Sequence, residues 1–248
     1  MRLLIAIPVF NERKYVEGVL QRVRQFHDQI LVVDDGSTDG TAELLEQRDD
    51  IHLIRHQTNR GYGTSIIDAF DYAADHGYDW VITMDCDEQH EPERIPDFVR
   101  EIRTNRWDII SGSRYMLPDA SNDLPPGDRR MINATITSLV NRLFNWNLTD
   151  AFCGFKAHRV SAMKRLHLDQ PGYAFPLQLW PRAARHNLRI TEIPVRLIYN
   201  DPTRHFGGRL DNPASRLQHY LDVLNVELRQ DPEHGQSEPA EVACCGCE

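Results

Sequence analysis

The sequence predicts an α/β fold with a mostly parallel sheet flanked by helices. Three observations support this class. Short apolar runs alternate with helical patterns over residues 3–115, as in strand–helix–strand units. Acidic residues and glycines follow several of these runs, as they do where parallel strands end at a ligand-binding edge. The length of 248 residues suits one large α/β domain or two small ones.

The first half of the chain supplies most of the predicted sheet. Apolar runs of four or five residues indicate buried strands at Leu3–Ile7, Gln29–Val33, Ile51–Ile54, Trp80–Met84 and Asp108–Ser111. Helices are predicted between them, at Lys14–Gln25, Thr41–Gln47, Thr64–His76 and Pro92–Thr104. The last of these begins with Glu91-Pro92-Glu93, where proline and acidic residues favour a first turn.

The second half is less regular. Met116–Asp128 is rich in Pro, Asp and Asn and indicates a loop, and apolar spacing predicts a helix over Arg129–Trp146. A strand at Gly154–His158 and a helix from Ser161 are expected next. The remaining predictions are a helix at Phe175–Asn187, an extended segment at Arg189–Leu197, a polar loop at Asn200–Asn212 and a helix at Pro213–Leu228.

Composition restricts the class of function. The formal net charge is −9, which disfavours nucleic-acid binding. No apolar run approaches the roughly 20 residues of a membrane span. Five cysteines form no disulfide pattern, so we predict a reduced, cytoplasmic protein. Residues 230–248 form a predicted disordered tail, for whose Cys244-Cys245-Gly246-Cys247 segment metal binding and acylation are alternatives.

Two carboxylates, Asp85 and Asp87, follow the predicted strand Trp80–Met84. At the ligand-binding edge of a sheet, two hard oxygen ligands at this spacing suit Mg2+ or Mn2+ carrying substrate phosphates. The alternative is a solvated acidic turn. Asp34-Asp35-Gly36 ends the second strand in the same way, where a carboxylate can bind a base or ribose. The absence of Gly-x-Gly-x-x-Gly after the first strand argues against dinucleotide oxidoreductases.

Six motifs occur in a characteristic order: Pro8–Glu12, Val33–Thr41, Asn59–Gly63, Met84–His90, Ser111–Tyr115 and Cys153–Lys156. Together they resemble family 2 glycosyltransferases, and among these the dolichyl-phosphate mannosyltransferases and polyprenyl-phosphate glucosyltransferases. The resemblance covers about residues 2–210. It implies a GT-A fold over residues 1–229 and inverting transfer of mannose or glucose from a GDP- or UDP-linked sugar to a polyprenyl or dolichyl phosphate.

The resemblance also implies roles for individual residues. Pro8 and Glu12 would face the nucleotide, and Asp35 would bind the base. Asp85, Asp87 and Gln89 would hold Mg2+ or Mn2+ with the diphosphate, with Asp87 also assigned to catalysis. Arg114 would reach phosphates of donor or acceptor and is assigned to catalysis as well, and Arg204 and Arg209 would close over the diphosphate. If the acceptor is a lipid phosphate, Arg129 or Arg130 could also hold it; their alternative is a solvated helix start. Cys86 and Glu88 stand where the subgroup usually has small and apolar residues.

The remaining hypotheses about function differ in the acceptor of the sugar. A lipid phosphate is already anionic at pH 7 and needs no strong general base, whereas a sugar hydroxyl does. In the hydroxyl-acceptor alternative, Asp150 is the first candidate for that base. A nucleotide-sugar-binding protein without turnover is a third hypothesis. A lipid acceptor also implies peripheral membrane contact at the inner face, for which the helix Arg129–Trp146 is a candidate; its alternative role is to cover the sheet.

Overall fold

The computed structural model describes residues 1–116, 122–123, 125–199 and 205–230. Within them, one sheet contains the strands β1 (Leu3–Val9), β2 (Ile30–Asp34), β3 (His52–Arg55), β4 (Trp80–Thr83), β5 (Ile109–Ser113), β6 (Lys156–Arg159) and β7 (Ile190–Pro194). The α-helices are α1 (Val16–Val23), α2 (Thr41–Glu46), α3 (Tyr62–Asp75), α4 (Ile95–Arg103), α5 (Gly127–Phe144), α6 (Val160–Met163), α7 (Phe175–Arg185) and α8 (Pro213–Arg229). Short 3-10 turns occupy Pro92–Arg94 and Gly208–Asp211. The predicted fold class is confirmed.

The strands lie in the order β3-β2-β1-β4-β6-β5-β7. Neighbouring strands are parallel except at β6, which pairs antiparallel with both β4 and β5. The parallel strands therefore end at one edge of the sheet, and the antiparallel strand begins there. This topology brings the segment before β6 beside the segments that follow β4 and β5.

Two hydrophobic clusters cover the faces of the sheet. Alternate residues of β1 point to opposite sides, since Leu4 packs in the cluster with α3, α5, α7 and α8, and Ile5 packs with α1 and α4. Both residues are fully buried, as expected for a strand covered on two faces. The sheet is thus the middle layer between helices.

Several predicted boundaries in the second half are wrong. Helix α5 begins at Gly127 rather than Arg129, because Pro126 ends the preceding loop and is the N-cap. The strand predicted at Gly154–His158 is β6. The helix predicted from Ser161 is the four-residue α6, and the predicted loop Asn200–Asn212 contains the 3-10 turn Gly208–Asp211.

Other predictions fall where the structure gives no description. Residues 117–121, 124, 200–204 and 231–248 lie outside the described residues, and with them Arg204 and most of the predicted cysteine-containing tail. The predicted domain boundary after residue 229 stays a prediction. No helix among the described residues is long and apolar enough to cross a membrane.

Helix α5 packs its apolar side against the sheet. Ile132, Ile136 and Val140 are buried in the cluster that also contains Trp180. Met131 lies on the other side of the helix and is 59% exposed. The observed packing therefore matches the sheet-covering alternative for this helix.

Candidate active site

A cleft of about 1200 Å³ lies at the edge where the parallel strands end. It is lined by residues from the ends of β1, β2, β4 and β5, the start of β6, and helices α3, α5 and α7. Eight predicted site residues line it: Pro8, Glu12, Asp35, Asp85, Asp87, Gln89, Arg114 and Arg129. Predicted site residues as far apart in sequence as Pro8 and Arg129 therefore lie in the same cleft.

Asp85 and Asp87 lie on the turn after β4. The Asp87 side chain accepts a hydrogen bond from the Gln89 backbone N–H at 3.0 Å. His90 is buried, and its Nδ1 accepts from the Asp85 backbone N–H at 2.9 Å. Burial lowers the pKa of His90 to about 4, so the imidazole is neutral at pH 7. His90 therefore holds the turn as a buried hydrogen-bond acceptor.

The two aspartates and Gln89 fit a divalent ion. They present carboxylate and amide oxygens, the hard donors that Mg2+ and Mn2+ prefer. Among the described residues, no three His, Cys, Asp or Glu side chains form a complete metal centre. An ion held here needs further oxygens, and the phosphates of a nucleotide can supply them. Glu88 lies outside the lining of this cleft, and its Oε1 is near Gly18 of α1.

The Asp85 carboxylate lies close to the backbone of Gly154, which has no side chain to obstruct it. A Cβ atom at Gly154 would lie 2.7 Å and 2.9 Å from the two Asp85 carboxylate oxygens and 2.9 Å from Tyr62 Oη. The Tyr62 hydroxyl donates to Asp85, and burial together with this carboxylate raises the pKa of Tyr62 well above 10.0. A glycine is needed because any side chain would collide with both groups.

Asp35 anchors the loop that precedes α3. Its Oδ1 accepts from the Arg60 backbone N–H at 2.7 Å, and its Oδ2 accepts from Gly61 at 2.8 Å. His56 lies between two carboxylates: its Nδ1 is 2.7 Å from Asp35 Oδ1, and its Nε2 is 2.7 Å from Asp68 Oδ2. Asp35 therefore shapes the loop that lines the cleft, and its contact with a base stays a prediction.

The segments after β1 and β2 are also tied together. The Asn11 backbone N–H donates to Ser37 Oγ at 2.9 Å, and Asn11 Oδ1 accepts from the Thr38 N–H at 2.8 Å. The Glu12 carbonyl accepts from Tyr15 and Val16, and so begins α1. These bonds hold Pro8 and Glu12 at the wall of the cleft.

Arg114 is held by a buried carboxylate. Its Nε and Nη2 donate to the two oxygens of Asp150 at 2.6 Å and 3.0 Å. Asp150 is fully buried and also accepts from Asn133 Nδ2 at 2.9 Å and the Phe152 N–H at 3.1 Å. Burial favours the neutral acid, but Arg114 and Asn133 outweigh it and lower the pKa of Asp150 to about 2.

The other predicted arginines differ in placement. Arg129 lines the cleft, with its guanidinium 4.7 Å from the Phe206 ring centroid. The buried Arg216 lies 4.6 Å from the same ring and pairs with Asp128, so it anchors this aromatic residue beside α5. Arg130 and Arg209 are exposed outside the cleft lining, and their roles stay predictions.

Sequence reasoning assigned no individual role to several polar residues of the cleft, among them Tyr62, Asn133, Lys156 and His158. Tyr62 and Lys156 stand within the motifs Asn59–Gly63 and Cys153–Lys156, which had been assigned no individual roles. Lys156 and His158 occupy alternate positions of β6, so their side chains share a face of the sheet. Knowing that this strand borders the cleft would have identified both residues.

Residues 4–166 match the family model that is described as glycosyl transferase family 2. The chain belongs to this family. An undecaprenyl-phosphate mannosyltransferase of Micrococcus luteus is 32% identical to this family 2 glycosyltransferase over 207 residues, 80% of this chain and 84% of that protein. A polyprenol monophosphomannose synthase of Mycolicibacterium smegmatis is 29% identical, covering 78% of this chain and 76% of that one.

Solved structures confirm the GT-A fold of this family 2 glycosyltransferase. Glucosyl-3-phosphoglycerate synthase from Mycobacterium tuberculosis, in complex with Mn2+, UDP and phosphoglyceric acid, superimposes with a TM-score of 0.67. The two chains are 18% identical, and the match covers 91% of this chain and 78% of the other. S. aureus TarS in complex with UDP-GlcNAc gives a TM-score of 0.62 at 17% identity, covering 93% and 66% of the two chains.

Proposed function

We propose that this family 2 glycosyltransferase is a metal-dependent, inverting enzyme that transfers mannose or glucose from a GDP- or UDP-linked sugar to a polyprenyl phosphate. The observation that carries the choice of acceptor is the state of Asp150. A sugar hydroxyl must lose its proton to attack, so it needs a base with an accessible lone pair and a suitable pKa. Asp150 offers neither, because it is fully buried and its pKa is about 2.

A phosphate acceptor removes the need for that base. Its oxygen is anionic at pH 7 and can attack the anomeric carbon directly. In this role Asp150 orients Arg114, whose guanidinium then has a fixed position for binding a phosphate. Arg129, at the same wall of the cleft, provides a second cation. The relatives named above, an undecaprenyl-phosphate mannosyltransferase and a polyprenol monophosphomannose synthase, support the same acceptor class.

Asp85, Asp87 and Gln89 are proposed to hold Mg2+ or Mn2+ together with the donor diphosphate. A bound divalent ion would offset the negative charge that develops on the leaving nucleoside diphosphate. Gly154 leaves room for the carboxylate of Asp85, and Tyr62 restrains that carboxylate. The Mn2+ and UDP in the complex of glucosyl-3-phosphoglycerate synthase support a divalent cofactor in this fold.

The proposed acceptor also implies a place of action. A polyprenyl chain requires contact with a bilayer, so we propose a cytoplasmic protein that binds the inner face of the membrane peripherally. Phe10 and Tyr173 line the cleft and are 44% and 42% exposed, which provides apolar surface where a lipid chain would leave it.

The test compares acceptors with the same donor. Purified protein is incubated with labelled GDP-mannose, GDP-glucose, UDP-glucose or UDP-mannose, Mn2+ or Mg2+, and either a short polyprenyl phosphate or the matching polyprenol. We expect lipid-linked sugar only with the phosphate and the metal. Product from the alcohol would favour a hydroxyl acceptor, and binding without any product would favour a nucleotide-sugar-binding protein. Loss of product in the Asp87→Ala variant is the control for this cleft.

A further inference from the structure

Lys156 is a buried cation at the floor of the cleft. It begins β6, where it lies opposite Thr83 of β4 and Ser111 of β5. Asp85 follows Thr83 by two residues, and Arg114 follows Ser111 by three. Lys156 therefore stands between the strand end that carries the predicted metal ligand and the strand end that carries the predicted phosphate-binding arginine.

The Lys156 ammonium forms no salt bridge among the described residues, although the charges of Asp150 and Glu192 favour its protonated form from farther away. The side chain is 4% exposed, and its ammonium donates to the Cys153 carbonyl. The Nζ atom lies 5.4 Å from the Trp180 ring centroid. The nearest ion pair described for Asp150 is with Arg114, at 2.6 Å. Burial disfavours the charged form and lowers the pKa of Lys156.

The neighbouring Asp150 acts on Lys156 through its charge but makes its close contacts elsewhere. Asp150 directs both oxygens at Arg114, and Asn133 donates to one of them as well. Cys153 is buried, and burial raises the pKa of its thiol to about 11, so it carries no negative charge at pH 7. A buried ammonium without a directly paired carboxylate is costly, and a bound anion would offset that cost.

We propose that the Lys156 ammonium binds a phosphate group of the substrates at the floor of the cleft, between Asp85 and Arg114. The identity of that phosphate, from the nucleoside diphosphate or from the polyprenyl phosphate, rests on the proposed function. Lysine suits this position because its compact ammonium acts as a point charge with three rotatable donors. The proposal adds a third cation to Arg114 and Arg129.

Matched variants test the proposal. Lys156→Met removes the charge with little change in volume, Lys156→Arg keeps the charge, and Lys164→Met makes the same change at an exposed site outside the cleft lining. Titration calorimetry measures the affinity of each variant for UDP and GDP with Mn2+, and for a short isoprenyl monophosphate. We expect Lys156→Met to weaken at least one ligand about tenfold, equivalent to about 1.4 kcal/mol. Lys156→Arg should recover part of the loss, and Lys164→Met should match the wild type.

The two phosphate sources give distinct results. Weaker binding of the nucleotides alone assigns Lys156 to the donor diphosphate, and weaker binding of the isoprenyl phosphate alone assigns it to the acceptor. If a folded Lys156→Met variant binds every probe within roughly twofold of the wild type, the proposal is overturned. These affinities do not depend on turnover, so a wild-type protein that makes no lipid-linked sugar would refute the proposed function without deciding this point.

A second measurement uses the wild-type protein and covers the case in which Lys156→Met fails to fold. The chain contains only three lysines, Lys14, Lys156 and Lys164. Lysine labelled with 13C at the ε-carbon therefore gives three signals, which Lys14→Arg and Lys164→Arg assign. A shift of the Lys156 signal on addition of UDP with Mg2+ or of the isoprenyl phosphate is expected. No shift at saturation with either ligand would contradict the proposal.

Discussion

Replacing Asp150 with asparagine separates its two candidate roles. The side chain accepts hydrogen bonds from five donors: the N, Nε and Nη2 atoms of Arg114, Asn133 Nδ2 and the Phe152 N–H. Asparagine keeps the shape but loses the charge. Its amide NH2 must also face at least one of these donors. We therefore expect Asp150→Asn to destabilise the fold as well as to lower activity.

The size of the effect follows from the buried ion pair. Breaking such a pair by removing one partner costs about 3–5 kcal/mol, because the other charge stays buried. The lowered pKa of Asp150 agrees in sign, because a carboxyl group that is a stronger acid in the fold than in the unfolded chain stabilises the fold at pH 7. A loss of about 3 kcal/mol in the free energy of unfolding is therefore expected.

Urea unfolding monitored by circular dichroism measures this loss. Because the pKa of Asp150 is lower in the fold, its contribution is complete above the unfolded pKa of about 4 and disappears as the pH falls through about 2. The difference between wild type and Asp150→Asn should therefore shrink between pH 5 and pH 3. A variant as stable as the wild type, with turnover reduced about a thousandfold and unchanged donor affinity, would instead indicate a catalytic base and refute the reasoning.

Three further substitutions test other parts of the cleft. Asp87→Ala should abolish the stabilisation of the protein by UDP or GDP that depends on Mn2+ in a thermal-shift assay; an unchanged shift would remove Asp87 from the metal site. Gly154→Ala should weaken Mn2+-dependent nucleotide binding about tenfold, since its Cβ would lie within 3.0 Å of Asp85 and Tyr62. Gly127→Ala, which meets nothing within 4 Å, is the calorimetric control, and equal effects would contradict this explanation. His56→Ala should weaken nucleotide binding with or without metal, because Asp35 loses a neighbour at 2.7 Å; intact binding would exclude a positioning role.

The sequence predicted the first half of the fold well, because its apolar runs are continuous and its helices lie between them. Predictions for the second half failed where local signals were weak. Gly127 begins α5 after two prolines in a region that read as a loop, and nothing in the run Gly154–His158 indicates that β6 is antiparallel. Strand direction depends on the long connections on either side, which leave no local pattern.

Several predicted site residues lie together in the structure, but their interactions with one another were not predicted. Asp85, Asp87 and Arg114 line one cleft, as the order of motifs implied. The pairing of Arg114 with Asp150 joins residues 36 positions apart, so spacing could not reveal it. Because of this pairing, Arg114→Ala would leave Asp150 as an unpaired buried carboxylate and should destabilise the fold. Lys156 was missed because a single lysine in a strand carries no pattern.

The antiparallel strand β6 divides the sheet into two parallel parts. Strands β3, β2, β1 and β4 lie on one side of it and β5 and β7 on the other, and no backbone hydrogen bond of the sheet joins the two parts except through β6. The four residues of β6, Lys156–Arg159, therefore connect the two parts of the sheet. Two of them, Lys156 and His158, also line the cleft. Changes that adapt this strand to a new substrate therefore act on the cohesion of the whole domain, which limits how freely specificity can evolve there.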